Sequence, residues 1–235
     1  MDRYYDVKHI SKCIPGLTIL EELELRWSVF TGCINEQCDF VAKIILNSND
    51  DREYKIYQIL KNDDITPRFI DYKYCELNDK GVYILVTEKY NNTLLNLLNH
   101  DLSEGQVRNI FMDILEKSIK LNFVYQIRHG DFHAENILYK IDSDGIKLGF
   151  IDFEFSTVYN NNIPILGQEE YNPYHDILQL EYSYIPKYRL KFNVPETYRD
   201  MYMNSLNEAD LEIINENIEQ KMDAPILEFN IKMLK

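Results

Sequence analysis

No stretch of this sequence approaches 18 consecutive apolar residues, so no membrane-spanning helix is expected. The run Met1-Asp2-Arg3-Tyr4-Tyr5-Asp6 is polar with nothing apolar behind it, and no signal peptide is expected. Positive charge is in short supply: 25 basic residues stand against 39 acidic ones, a net charge of -14. That balance argues against a nucleic-acid binder and against a protein that docks on anionic membranes. It leaves room for a local basic pocket that holds a small anion. Cysteine is limited to Cys13, Cys33, Cys38 and Cys75, without a C-x-x-C pair. His100, His129, His133 and His175 lie far along the chain, so zinc-ligand spacing is absent. The cysteines are therefore expected as reduced thiols of an intracellular, cytoplasmic protein. Glycine and proline, eight and seven residues, nowhere gather into a linker. What remains is ample core material: 45% hydrophobic and 13% aromatic over 235 residues, enough for one large domain or two lobes.

Period-two patterns predict strands at Leu17–Glu22, Trp27–Cys33 and Cys38–Leu46, with a turn at Asn35-Glu36-Gln37 between the last two. Asp50–Lys61 is predicted helical from Tyr54, Tyr57 and Leu60, with caps in Asn47-Ser48-Asn49. Strands follow at Phe69–Cys75 and Val82–Thr87. The chain then changes character. A short helix at Leu94–Leu98 precedes a long one beginning at Ser103, where Gln106 completes a capping box. Val107, Ile110, Phe111, Ile114, Leu115 and Ile119 mark its buried face. Two strands, Ile137–Lys140 and Ile146–Ile151, flank the turn Asp142-Ser143-Asp144-Gly145. Beyond Asp176 the pattern is mostly helical, with an acidic amphipathic helix at Leu206–Met222 and tyrosines at 182, 184 and 188.

The segment that carries chemistry is His129-Gly130-Asp131-Phe132-His133-Ala134-Glu135-Asn136. It resembles the catalytic loop of the protein kinase-like fold, H-x-D-x-x-x-x-N. Sixteen residues after Asn136 comes Asp152-Phe153-Glu154, which resembles the metal-binding D-F-G element with Glu in place of Gly. Val41-Ala42-Lys43-Ile44 resembles the V-A-I-K strand, and Glu53 stands on the next helix where that family places its lysine's partner. Asp176 resembles the buried aspartate that anchors the catalytic loop. The resemblance covers residues 17 to 185 and implies an α+β, kinase-like fold. It implies a β-rich lobe with one helix over residues 1–90 and a truncated, mainly helical lobe over 91–235. It further implies ATP and Mg²⁺. Lys43 would contact phosphates, Glu53 would pair with it, and Glu88 and Tyr90 would line the adenine through backbone groups. Asn136 and Asp152 would hold the metal, Asp131 would accept the proton of the attacking hydroxyl, and His129 would brace the loop. His133 either contacts the γ-phosphate or is structural.

The departures matter as much. The expected turn between the first two strands, Glu22-Leu23-Glu24-Leu25-Arg26, has no glycine to let backbone amides approach phosphate. Gly130 replaces an arginine, and no A-P-E triplet follows Asp152. Tyr90 and His129 are 39 residues apart, the compact interval of protein kinases. The expectation is therefore an ATP-dependent kinase, in the first place a minimal, monomeric serine/threonine kinase acting on protein substrates. The alternatives are a small-molecule phosphotransferase acting on choline or an aminoglycoside, and a binding module whose nucleotide site has decayed.

Overall fold

The computed structural model describes residues 13–22, 29–45, 51–77, 80–160, 163–167 and 175–176. The glycine-free turn beyond Glu22, the caps at 47–49, the tyrosines at 182–188 and the acidic helix at 206–222 lie outside the described residues. The chain divides into two compact units, Met1–Tyr90 and Asn91–Lys235. No helix among the described residues is long and apolar enough to cross a membrane.

Among the described residues, the first unit holds a five-stranded antiparallel sheet and a nine-residue helix. Its strands are β1 (Leu17–Glu22), β2 (Val29–Ile34), β3 (Gln37–Ile45), β4 (Phe69–Leu77) and β5 (Lys80–Glu88), in the order β1-β2-β3-β5-β4. The β2–β3 reversal takes two residues rather than the three predicted. Asn35 and Glu36 both have positive φ, 49° and 71°, and this left-handed pair suits the twist of a tight hairpin. Alternate residues Phe40, Ala42 and Ile44 of β3, with Val82, Ile84 and Val86 of β5, build the core on one face. Lys43 points to the other face.

Helix α1 runs from Arg52 to Leu60 and buries Glu53, Ile56, Tyr57 and Leu60. The predicted stripe placed Tyr54 in that row. The structure rotates the helix so that Glu53 takes the buried position and Tyr54 lies half-buried beside it. Burial of a carboxylate is tolerable only with a partner, and Lys43 provides one.

The cysteines depart from expectation. Cys13 is bonded to Cys75 and Cys33 to Cys38, so none is a free thiol. Sequence spacing alone gives no sign of this. Strand pairing brings Cys33 and Cys38 to either side of the β2–β3 turn, and Cys13, before β1, meets the distant β4.

In the second unit, the two-residue β6 (Asn92–Thr93) leads into α2 (Leu94–Leu97), capped by the Thr93 hydroxyl. Helix α3 (Glu104–Ile119) opens on the predicted capping box. Ser103 Oγ accepts from Gln106 N, and Gln106 Oε1 accepts from Ser103 N. All six residues of the predicted apolar face are buried. The helix then widens into one π-helical stretch, Lys120–Val124, which turns Leu121 and Phe123 inward. Strands β8 (Ile137–Asp142) and β9 (Gly145–Phe150) form a hairpin with β6 at its edge. A second small sheet joins β7 (Ile127–Arg128), β10 (Thr157–Asn160) and β11 (Ile163–Leu166). The class is α+β.

Candidate active site

Within the first unit, Lys43 and Glu53 meet. Lys43 Nζ lies 3.1 and 2.8 Å from the two carboxylate oxygens. The lysine side chain is 20% exposed and the glutamate 5%. Strand alternation sends Lys43 to the α1 side of the sheet, and the first turn of α1 brings Glu53 to it. At the end of β5, Glu88 N donates to Arg68 O at 2.9 Å and Lys89 N to Asp39 O at 2.6 Å. Those two amides serve the fold, which narrows any backbone recognition here to other groups of Glu88 and Tyr90.

In the second unit, the short strand β7 delivers His129 into a fully buried position. Three contacts fix it. Its N–H donates to Asp176 Oδ2 at 2.7 Å, its ring Nε2 lies 2.9 Å from Ile151 O, and its carbonyl accepts from Ser156 Oγ at 2.8 Å. A carbonyl can only accept, so Nε2 carries the proton. Nδ1 then accepts from Asp131 N at 3.4 Å. Burial drives the imidazole below its usual pKa against the pull of Asp176, Ile151 O, Asp152 and Asp131. The ring packs on Phe132 and Phe153 at 5.4 and 4.8 Å. The other Asp176 oxygen accepts from Gly130 N at 3.0 Å. Asp176 thus ties down two successive amides of the loop.

Beyond that anchor the loop brings Asp131, His133 and Asn136 together. Asn136 Nδ2 donates to Asp131 O at 2.9 Å and lies 3.1 Å from Asp131 Oδ2. His133 Nε2 lies 3.4 Å from Asp131 Oδ2 and 3.1 Å from Asn136 Nδ2, while its Nδ1 accepts from Glu135 N at 3.3 Å. The His133 ring is therefore engaged inside the loop. Asn136 is fully buried, and its carbonyl accepts from Ile151 N at 3.0 Å, extending the β8–β9 ladder by one step. Asp152 follows directly in the left-handed region, φ 71° and ψ 60°. A non-glycine residue held there is strained, and such strain gathers at functional sites.

These residues fit a magnesium ion. The amide nitrogen of Asn136 is committed to Asp131, so its oxygen is the atom suited to a metal, and Asp152 adds a carboxylate. Two hard oxygen donors match an ion that keeps several waters and takes the rest of its shell from substrate phosphate. Among the described residues no group of three or more His, Cys, Asp or Glu could hold a metal unaided.

Ser156 is a partner of His129 that sequence reasoning misses, because a lone serine 27 positions away carries no pattern. Gly130, by contrast, explains itself. It has φ 84°, and a side chain there would run into the carbonyl of Phe155. An arginine is excluded by the backbone itself. Phe155 is 59% exposed, whereas Ser156, Thr157, Val158 and Tyr159 are buried as β10 pairs with β7.

Comparison with known proteins bears on the fold. Over 93% of its length the chain superposes on 78% of the kinase PK-1 of Cydia pomonella granulovirus, at a TM-score of 0.59 and 17% identity. The chain has the protein kinase-like fold. Residues 83–160, about a third of the kinase-like chain, match the model of the phosphotransferase enzyme family, APH. The match takes in most of β5, the loop at 129–136 and the Asp152 motif. A chain of the yeast RNA polymerase II CTD kinase CTDK-1 complex aligns with 63% of this chain over 48% of its own, at 18% identity and a TM-score of 0.49. No curated protein matches the chain.

Proposed function

We propose that the chain is an ATP-dependent phosphotransferase that moves the γ-phosphate to a hydroxyl group. One observation carries the reading: the Asp131–Asn136 pair is braced by His129 and followed across the ladder by the strained Asp152. Phosphoryl transfer asks for positioning and charge neutralisation more than covalent chemistry. Asp131, with a partly exposed carboxylate, orients the acceptor hydroxyl and takes its proton. Asn136 and Asp152 hold Mg²⁺, which neutralises phosphate charge when bound. Lys43, kept in place by Glu53, contacts phosphate oxygens. Glu88 and Tyr90 border the adenine. His133 steadies Asp131 and Asn136.

For the acceptor, a serine or threonine of a protein is the first reading. The compact interval between Tyr90 and His129 supports it, because it holds only β6, α2, α3 with its π extension, and β7. A small-molecule hydroxyl is the second reading, favoured by the family match over residues 83–160 and by Glu154 in the Asp152 motif.

The test incubates purified protein with Mg²⁺ and labelled ATP, and offers casein, choline and an aminoglycoside separately. Label in casein supports the first reading and label in a small molecule the second. Absence of both transfer and any nucleotide-induced rise in melting temperature overturns the enzyme reading and leaves a binding module.

A further inference from the structure

Cross-strand register places Lys43 in a row with Leu85 and Tyr72 on one face of the first unit's sheet. The next row on that face is Ile45, Tyr83 and Tyr74. Helix α1 meets these rows through an aromatic column. The Tyr54 ring lies 3.9 Å from that of Tyr72 with planes 5° apart, and Tyr72 lies 4.9 Å from Tyr83 with planes 8° apart. Tyr74 closes the column edge-on against Tyr83 at 5.3 Å. Its ring lies over Gly81, where any side chain would collide with it.

The helix needs this support. It has nine residues, and its Asp51 N-cap makes no side-chain capping bond. A helix so short is not stable alone, so tertiary contacts decide where it lies. Tyr54 immediately follows Glu53. The angle at which Tyr54 stacks therefore fixes the rotation that presents Glu53 to Lys43. Tyr72 contributes through its ring, because its hydroxyl is buried and makes no hydrogen bond. Burial and the neighbouring Tyr83, Asp51, Tyr54 and Glu53 push that phenol above its ordinary pKa, keeping it neutral.

We propose that Tyr54, Tyr72 and Tyr83 are positioning residues, whose stacked rings hold α1 so that Glu53 stays within reach of the Lys43 ammonium. The consequence for nucleotide binding rests on the function proposed above; the positioning itself is testable without nucleotide.

The experiment measures how fast an N-hydroxysuccinimide ester acylates Lys43, by mass spectrometry, with Lys147 of the second unit as internal control. Wild type and Tyr72→Phe are expected to label at the same slow rate. Tyr72→Leu and Tyr54→Leu should label Lys43 about 2- to 10-fold faster, the factor one aromatic pair contributes. Their rates should approach that of Glu53→Gln, with Lys147 unchanged. Wild-type rates in both leucine variants would overturn the proposal. So would a Tyr72→Phe protein that labels as fast as Tyr72→Leu, since the hydroxyl would then be the active part. If Tyr72→Leu loses its circular dichroism spectrum, Tyr54→Leu decides alone, because Tyr54 is only half-buried and lies on the helix, so its truncation removes no residue from the sheet. A Mg–ATP analogue added to wild type separates the two readings. Failure to slow Lys43 labelling would remove the phosphate role of Lys43 and leave the outcome of the leucine variants standing.

Discussion

Lys43 and Glu53 lie ten residues apart in sequence and form a two-oxygen ion pair, 2.8 and 3.1 Å, with the carboxylate almost wholly buried. A charge in that setting depends on its partner. Replacing Lys43 by Met leaves Glu53 buried without a counter-charge. Loss of one member of a buried pair costs about 3–5 kcal/mol, and the partial exposure of the lysine reduces the expected loss here to about 2 kcal/mol. Urea denaturation reads that loss, and labelled-ATP transfer should vanish in the same variant. Full activity in Lys43→Met would remove the residue from the site.

Asp131 and Asp152 should separate by assay. Asp131→Asn keeps the hydrogen bond to Asn136 but cannot accept a proton, so transfer should fall about 10²-fold or more. Nucleotide binding, read by calorimetry with a Mg–ATP analogue, should persist. Asp152→Asn should lose both. A variant pair with equal effects on binding and transfer would contradict the division of roles.

Gly130 predicts the behaviour of a substitution toward the arginine found elsewhere in this fold. Both Gly130→Ala and Gly130→Arg must place a Cβ against the Phe155 carbonyl at positive φ. The left-handed conformation alone costs an L-residue about 1–2 kcal/mol. Thermal melting should show losses of at least that size in both variants, nearly equal because the Cβ is the common cause. A stable Gly130→Arg protein would mean that the Phe155 backbone yields.

His129 gives the stability a pH dependence of known sign. Its folded-state pKa lies below the unfolded value of about 6.5. As pH falls through that range, the unfolded chain takes up a proton that the buried ring does not. Stability from this residue is complete above the unfolded value and declines as pH drops toward the folded one. Guanidinium midpoints between pH 8 and pH 5 should fall more steeply for wild type than for His129→Gln. Parallel curves would show that the ring titrates in the folded protein as it does in the open chain.

Local patterns made much of this molecule readable. The Ser103–Gln106 capping box, the six-residue face of α3 and the strand carrying Lys43 each depend on neighbours a few positions away, and each is found. Asp176 was legible because it sits in a recognisable order with His129 and Asp152. What escaped depends on register between distant strands. The Cys13–Cys75 pair required knowing that a segment before β1 meets β4, and the Cys33–Cys38 pair required the register of the β2–β3 hairpin. The tyrosine column required two rows of β4 and β5 to align with α1, and Tyr54 belongs to it because Glu53, not Tyr54, turns inward. Ser156 carries no pattern of its own.

Ser156, Thr157 and Tyr159 follow Asp152 closely, and all three are buried where β10 pairs with β7. A modifying enzyme needs an extended, accessible chain around its target hydroxyl. To add phosphate to these positions it would first have to peel β10 from β7, breaking the Ser156 bond to His129 in the process. The modification would thus dismantle the very loop that an activating signal has to preserve. At these three positions, covalent control can act only as an off-signal.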